Sequence, residues 1–320
     1  MKEIIFLCQQ LDITATPNAR MAAYTTFRLG GPCPLLCECR TPEQMEALLS
    51  SLHEKSLAFT LVGGGSNVLV SDKGLDAVVV RYFADKPQIR CDGNALIVSG
   101  ATKLDDVALH AADQGLAGMN FLSGIYGTVG GAVCGNAGAF GRQISECLKS
   151  VVLMSRQGVK QDLPAEEVAF GYRQSELQKN GQVVLAATFR LTPGDRDGML
   201  KEREEILQLR RQKHPDVSIY PCAGSFFRNI ESPTQGGSRQ AAGWFLDQVG
   251  AKNLSRRGAA VFDKHANIIV KKEECSAQDV FDLSREMAAR VKDAFGLDLV
   301  PEVRLLGAFD QRQPAPPPAR

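Results

Sequence analysis

Residues 123–141, SGIYGTVGGAVCGNAGAFG, set the terms for any fold this chain can adopt. Seven of these 19 residues are glycine, against 30 in the 320 of the whole chain. Only glycine reaches positive φ without a steric penalty, and it carries no Cβ, so a run this dense describes a backbone that comes close to something. Peptide N–H groups exposed in such a run form concave nests for anions, and a diphosphate is a natural occupant. The order Gly124, Gly127, Gly130-Gly131 is not the G-x-G-x-x-G of a nicotinamide-binding βαβ turn. Taken alone, the run reads equally well as a tight loop between ordinary elements.

A second cluster, Gly63-Gly64-Gly65-Ser66-Asn67, follows the apolar residues 59–62. Thr60 and Val62 are β-branched, so a buried strand is expected there, running into the loop. The loop lacks the lysine of G-x-x-x-x-G-K-[ST] and is therefore not a P-loop. Two glycine loops in one chain suit a long diphosphate ligand gripped from both sides, with a dinucleotide as the leading candidate.

The apolar fraction of 44% and charged fraction of 23% are ordinary for a globular protein. A net charge of +1, with no long block of one sign, gives no reason to expect a nucleic-acid or membrane-binding face. Residues 4–7 are too short an apolar run for a signal-peptide core, and no run approaches the length of a membrane span. The nine cysteines include no C-x-x-C, and Cys33, Cys37 and Cys39 have no histidine nearby in sequence, so no metal site is expected. Free thiols and no export signal lead to the expectation of a cytoplasmic protein.

Along the chain, residues 1–24 read as a helical lead-in and residues 24–32 as a strand ending in a turn. Thr41, Pro42 and Gln44 form a capping box that opens a helix. Strands are expected at 68–70, 77–80 and 95–98. Thr102 with Asp105 three residues on is expected to start a helix closing at Gly115. Residues 151–154 and 159–163 flank a Ser155–Gly158 turn, and 183–191 form a further strand. Beyond Thr192-Pro193-Gly194-Asp195, helices are expected at 199–211, 240–249 and from the Ser276 cap to Gly296, with strands at 267–271 and 300–306. The proline-rich tail is expected to be disordered.

Tyr24-Thr25-Thr26-Phe27-Arg28-x-Gly30-Gly31, the two glycine loops, Tyr172-Arg173-x-Ser175, Ala223 to Asn229, Lys264-His265-Ala266-Asn267 and Pro301-Glu302-Val303-Arg304 occur in that order. As an ordered set spanning residues 20–307, they resemble the UDP-N-acetylenolpyruvoylglucosamine reductases. The resemblance implies an α+β fold, with an N-terminal FAD-binding domain of the vanillyl-alcohol-oxidase (PCMH) type in two α/β lobes and a smaller α+β substrate-binding domain. The corresponding expectation is a lead-in at 1–24, a flavin domain at 25–193, a substrate domain at 199–307 and a tail at 308–320.

The resemblance also implies non-covalent FAD, NADPH as hydride donor and a monomeric enzyme acting on a UDP-sugar enolpyruvyl ether, without nucleic acid or membrane partners. Arg173 would hold the substrate carboxylate, Ser225 would donate a proton, and Glu302 would assist at the carboxylate. Cofactor contacts would come from Gly63, Gly64, Gly65, Ser66, Asn67, Ser123, Gly124, Ile125, Gly127, Thr128, Gly130, Gly131, Asn136, Arg210 and Arg304. Substrate contacts would come from Tyr172, Lys213 and Asn229. By residue type alone, Arg173 also suits a surface salt bridge, Ser225 a tight turn and Glu302 a pair with Arg304. His265 reads as a packed or hydrogen-bonded histidine.

The sequence departs from the family pattern at Tyr126, where proline is usual, and at Cys134-Gly135. The short segment between Asn229 and His265 resembles the compact family type, which lacks an extra tyrosine-bearing loop. Two other readings are a different flavin oxidase on the same scaffold and a non-catalytic homologue that binds a nucleotide sugar.

Overall fold

The structure is a computed structural model, which describes residues 1–231 and 239–311. Two compact units make up the chain, and they interleave in sequence. The first comprises Met1–Ala19, Cys33–Gly64 and Ala77–Arg210; the second comprises Arg20–Pro32, Gly65–Asp76 and the described part of Arg211–Arg320.

The first unit holds two sheets. A four-stranded sheet runs in the order Thr14–Arg20, Pro32–Cys39, Val78–Tyr82, Phe59–Val62, and Val78–Tyr82 is parallel to both Pro32–Cys39 and Phe59–Val62. The helix Pro42–Glu54 covers it with Met45, Leu48, Leu49 and Leu52, all fully buried. These four recur at the three- and four-residue spacing of a single helix face. Its expected capping box is present: Gln44 N donates to Thr41 Oγ1 at 3.3 Å, and Gln44 Oε1 accepts from Thr41 N at 3.3 Å. A second, antiparallel sheet has the order Lys160–Pro164, Leu148–Met154, Val183–Arg190, Ala95–Ser99, Ile89–Asp92. Against it lies a core built from Val107, Ala111, Val129, Val133 and Phe189.

The second unit has an antiparallel sheet in the order Cys222–Ser225, His265–Lys271, Ala259–Phe262, Ser255–Arg256. The helix Ala277–Phe295 buries Val280, Leu283, Met287 and Val291 against a core that includes Phe226, Phe245 and Ile269. Ser276 and Asp279 form its capping box, and Gly296 ends it at φ +70°. The strand Arg304–Leu306 pairs in parallel with Val68–Val70.

Four local expectations need correction. Residues 24–32 are not a strand: Met21–Tyr24 is a turn of 3-10 helix, and Arg28 (φ +51°) and Gly30 (φ +132°) reverse the chain before the strand Pro32–Cys39. The lead-in contains a strand, Thr14–Arg20, whose polar residues show no alternation by which it could be read. The residues 123–141 are not loop throughout, since Val129–Cys134 is helical. Thr102 does not cap the helix Leu104–Asp113; its N-cap is Lys103, which makes no side-chain cap bond, while Thr102 Oγ1 accepts from Gln88 N at 3.1 Å. The tail from 312 onward lies outside the described residues. Among the described residues, no helix is long and apolar enough to cross a membrane.

Candidate active site

In the first unit the two glycine stretches meet. Thr128 caps the helix Val129–Cys134, its Oγ1 accepting from Gly131 N at 3.3 Å. A Cβ on Gly63 would lie 2.4 Å from that oxygen, and one on Gly64 would lie 3.0 Å from Gly127 Cα. Neither position admits a side chain without moving its neighbour. Gly130 N donates to Gly100 O at 2.9 Å, and a Cβ on Gly100 would stand 2.0 Å from Val184 O. Gly100 is thus a third close-approach glycine. It stands alone in the sequence, so density could not reveal it.

Ser123 is fully buried, and Arg210 Nε donates to its carbonyl at 2.8 Å. Ser123 Oγ and Arg210 Nη2 are both buried without a hydrogen-bond partner among the described residues. Burial lowers the Arg210 pKa, opposed by the nearby Asp105 carboxylate. Unmet buried donors beside a cradle that has no room for a Cβ fit a ligand carrying phosphate oxygens. Gly124 N is already used, donating to Asp105 Oδ1 at 2.6 Å. The sequence reading missed this role of Asp105 because it counted that residue as part of a helix cap.

Arg173 sits at the tip of a hairpin whose strands Phe170–Gly171 and Gln174–Ser175 pair Gly171 with Gln174. Its φ of +55° is a left-handed conformation that a non-glycine residue rarely adopts. The glycine loop holds this hairpin at three points. Asn136 Nδ2 donates to Gly171 O at 2.9 Å, Arg173 Nη2 to Gly138 O at 2.6 Å, and Ser175 Oγ to Cys134 O at 2.6 Å. Asn136 also bonds Gln143 Oε1 at 3.0 Å and accepts from Ser145 N at 3.3 Å, so its amide is engaged within the protein. Tyr172 is half-buried, with the Arg173 guanidinium 5.4 Å from its ring centre.

In the second unit, Gly65 turns at φ +65°, and a Cβ there would lie 2.1 Å from Tyr24 O. Thr26 ties this turn down, with N donating to Gly65 O at 3.0 Å and Oγ1 to Cys222 O at 2.7 Å. That accounts physically for the second threonine of the first motif. Ser225 is half-buried at the end of Cys222–Ser225, after Gly224 at φ +73°, where a Cβ would meet nothing within 4 Å. Glu302 N donates to Phe226 O at 2.8 Å, which brings Glu302 to the segment that follows Ser225. Asn67 Nδ2 donates to Glu302 O at 3.2 Å, and Arg304 N donates to Asn67 O at 3.1 Å.

Lys213 and Arg304 are exposed. Asn229 Oδ1 accepts from Ala242 N at 3.3 Å, meeting one of the N–H groups at the start of the helix Ala242–Gln248. Asn267 exchanges hydrogen bonds with Phe227, N to Oδ1 at 3.0 Å and Nδ2 to O at 2.8 Å, and so braces the strand end that bears Ser225. His265 Nδ1 accepts from Asn267 N at 3.3 Å, which places the ring proton on Nε2. Burial lowers the His265 pKa, and Lys252 and Lys213 add to the shift. Arg228 Nε is buried without a hydrogen-bond partner among the described residues, a polar group the sequence reading did not single out. Arg173 belongs to the first unit, whereas Ser225 and Glu302 belong to the second.

A family model for an FAD binding domain matches residues 34–163. With the glycine cradle and its unmet donors, this defines a flavoprotein oxidoreductase that uses FAD. A second family model, for the C-terminal domain of UDP-N-acetylenolpyruvoylglucosamine reductase, matches residues 214–306. The reductase of that name from Clostridium botulinum (strain Eklund 17B / Type B) is 34% identical over 304 residues, covering 95% of this chain and 97% of the relative. The one from Lactobacillus acidophilus is 34% identical over 287 residues, covering 90% and 93%. The crystal structure of UDP-N-acetylenolpyruvylglucosamine reductase (MurB) from Thermus caldophilus aligns with a TM-score of 0.75 at 28% identity, covering 92% of this chain and 99% of that one. This chain belongs to the UDP-N-acetylenolpyruvoylglucosamine reductase family.

Proposed function

We propose that this protein uses NADPH to reduce the enolpyruvyl ether of UDP-N-acetylglucosamine to the lactyl ether, forming UDP-N-acetylmuramate in the cytoplasm. Bound FAD would accept a hydride from NADPH and deliver it to the terminal vinyl carbon. The observation that carries this reading is the seating of Arg173, whose hairpin the glycine loop itself fastens. A planar guanidinium held in that way suits a carboxylate, and the substrate carboxylate is where charge develops when a hydride reaches the vinyl group. A preorganised donor at such a site is worth roughly 100- to 1000-fold in rate.

Ser225 is assigned the proton transfer to the carbon next to the carboxylate. Gly224, with open space where a Cβ would be, supports approach to that hydroxyl. Glu302 is assigned a contact at the substrate carboxylate. Tyr172, Lys213 and Asn229 are assigned contacts to the sugar nucleotide. The remaining cofactor contacts fall to Gly63, Gly64, Gly65, Ser66 and Asn67 and to Ser123, Gly124, Ile125, Gly127, Thr128, Gly130 and Gly131, with Arg210 and Arg304.

The test separates the two half-reactions. In Ser225→Ala, bleaching of the flavin by NADPH should be unchanged, while its anaerobic reoxidation by the enolpyruvyl substrate should slow by about 100-fold or more. Equal reoxidation in the variant would remove Ser225 from the mechanism. Reoxidation of the wild type by oxygen alone would favour the oxidase reading.

A further inference from the structure

Asp105 and Arg203 have no role in the reaction as described, yet they hold its cofactor loop. Asp105 Oδ1 accepts from Gly124 N at 2.6 Å and from Arg203 Nη1 at 2.7 Å, while Oδ2 accepts from Arg203 Nη2 at 2.8 Å. Arg203 is 8% exposed and lies on the helix Arg196–Lys213. Arg210, two turns further along that helix, reaches the same corner directly. Its Nε donates to Ser123 O at 2.8 Å, and its Cδ lies where a Cβ on Gly124 would be only 2.9 Å away. One helix therefore grips the Ser123-Gly124 corner twice, once through Asp105 and once through Arg210. Among the described residues, Arg210 Nη2 and Ser123 Oγ are buried at this corner without a hydrogen-bond partner.

We propose that Asp105 and Arg203 form a charge-balanced pair that serves the anionic part of the dinucleotide: Asp105 holds the Gly124 turn, and Arg203 neutralises that carboxylate so that Arg210 Nη2 is left for a phosphate oxygen. The inference rests on the FAD reading of this site. It has a charge consequence that plain bracing lacks. A carboxylate beside a phosphate site repels the ligand and competes for Arg210 unless a second cation neutralises it. The two-pronged guanidinium of Arg203 does so in the geometry that suits a carboxylate. Removing Arg203 alone leaves the Asp105 charge without its guanidinium next to the phosphate, held only by Gly124 N, whereas removing both charges leaves that pair neutral.

The experiment dilutes FAD-loaded wild type, Arg203→Met, Arg203→Lys and the double variant Asp105→Asn/Arg203→Met. It follows the rise of flavin fluorescence as FAD leaves. Arg203→Met should raise the dissociation constant at least tenfold. Arg203→Lys should regain part of that loss, and the double variant should regain most of it although it lacks both partners of the pair. The proposal is overturned if Arg203→Met holds FAD as tightly as wild type, or if the double variant is no better than Arg203→Met. A wild-type protein that neither carries nor takes up FAD would instead bring down the cofactor reading on which the proposal rests.

Discussion

Gly63 and Thr128 show how one missing Cβ can be a structural requirement. The Thr128 hydroxyl occupies the space a side chain at 63 would need, 2.4 Å from the ideal Cβ position, and also caps the helix that follows. Gly63→Ala should therefore cost about 1–3 kcal/mol, as overpacking does. Thr128→Ala should cost about 1 kcal/mol as a lost cap. Because the alanine at 63 would occupy the space the hydroxyl vacates, the double variant should cost less than the sum, and denaturant melts of the four proteins would show it. His265 supplies a pH dependence at the same scale. Its folded pKa lies below the ordinary value, chiefly through burial, so protonation opposes folding. Its contribution is intact above the unfolded value of about 6.5 and is lost as pH falls through that value toward the lowered one. His265→Gln should flatten this part of the stability–pH curve, and an unchanged slope would assign the acid sensitivity elsewhere.

The hairpin that carries Arg173 and the glycine loop that fastens it behave as one element. Asn136→Ala removes two donated bonds and one accepted bond from a residue only 1% exposed. It should lower stability by about 1–3 kcal/mol, as unsatisfied buried partners do. Because Arg173 rides on that hairpin, kcat should fall more than FAD affinity, a split that steady-state kinetics and flavin titration can measure together. What the sequence disclosed about its elements follows the range of the interactions involved. The Thr41 and Ser276 capping boxes could be read because every group in them lies within three residues. Thr102 with Asp105 has the same spacing but not the same outcome. Asp105 is taken up by Gly124 and by Arg203, 98 positions away, and no local pattern announces a partner at that distance. The turn after Tyr24 was hidden in the same way, since its reversal depends on Gly30 packing against Met21 and Val70.

At the scale of the whole molecule, the glycine loops and the family motifs were legible because each is a short contiguous signature. The interleaving of the two units was not, because it depends on pairings between distant segments. Residues 65–76 belong to the second unit through the pairing of Val68–Val70 with Arg304–Leu306 and through Asp72. Asp72 accepts from Ala277 N and Gln278 N, each at 3.0 Å, capping the longest helix of that unit from 205 positions away. A carboxylate there meets two of the N–H groups that a helix start leaves unpaired, and it complements the positive end of the helix dipole. Asp72→Ala should destabilise the second unit by about 1–3 kcal/mol. Ser276→Ala, which removes a different acceptor from the same helix start, should cost about 1 kcal/mol. Trp244, the single tryptophan of the chain, lies in the second unit and reports its unfolding by fluorescence. If the Asp72→Ala midpoint in urea by Trp244 emission matches wild type, the distant carboxylate does not stabilise the helix. If it falls, and Ser276→Ala adds to it, the segment 65–76 is part of the second unit's cooperative core rather than a connection threaded past it.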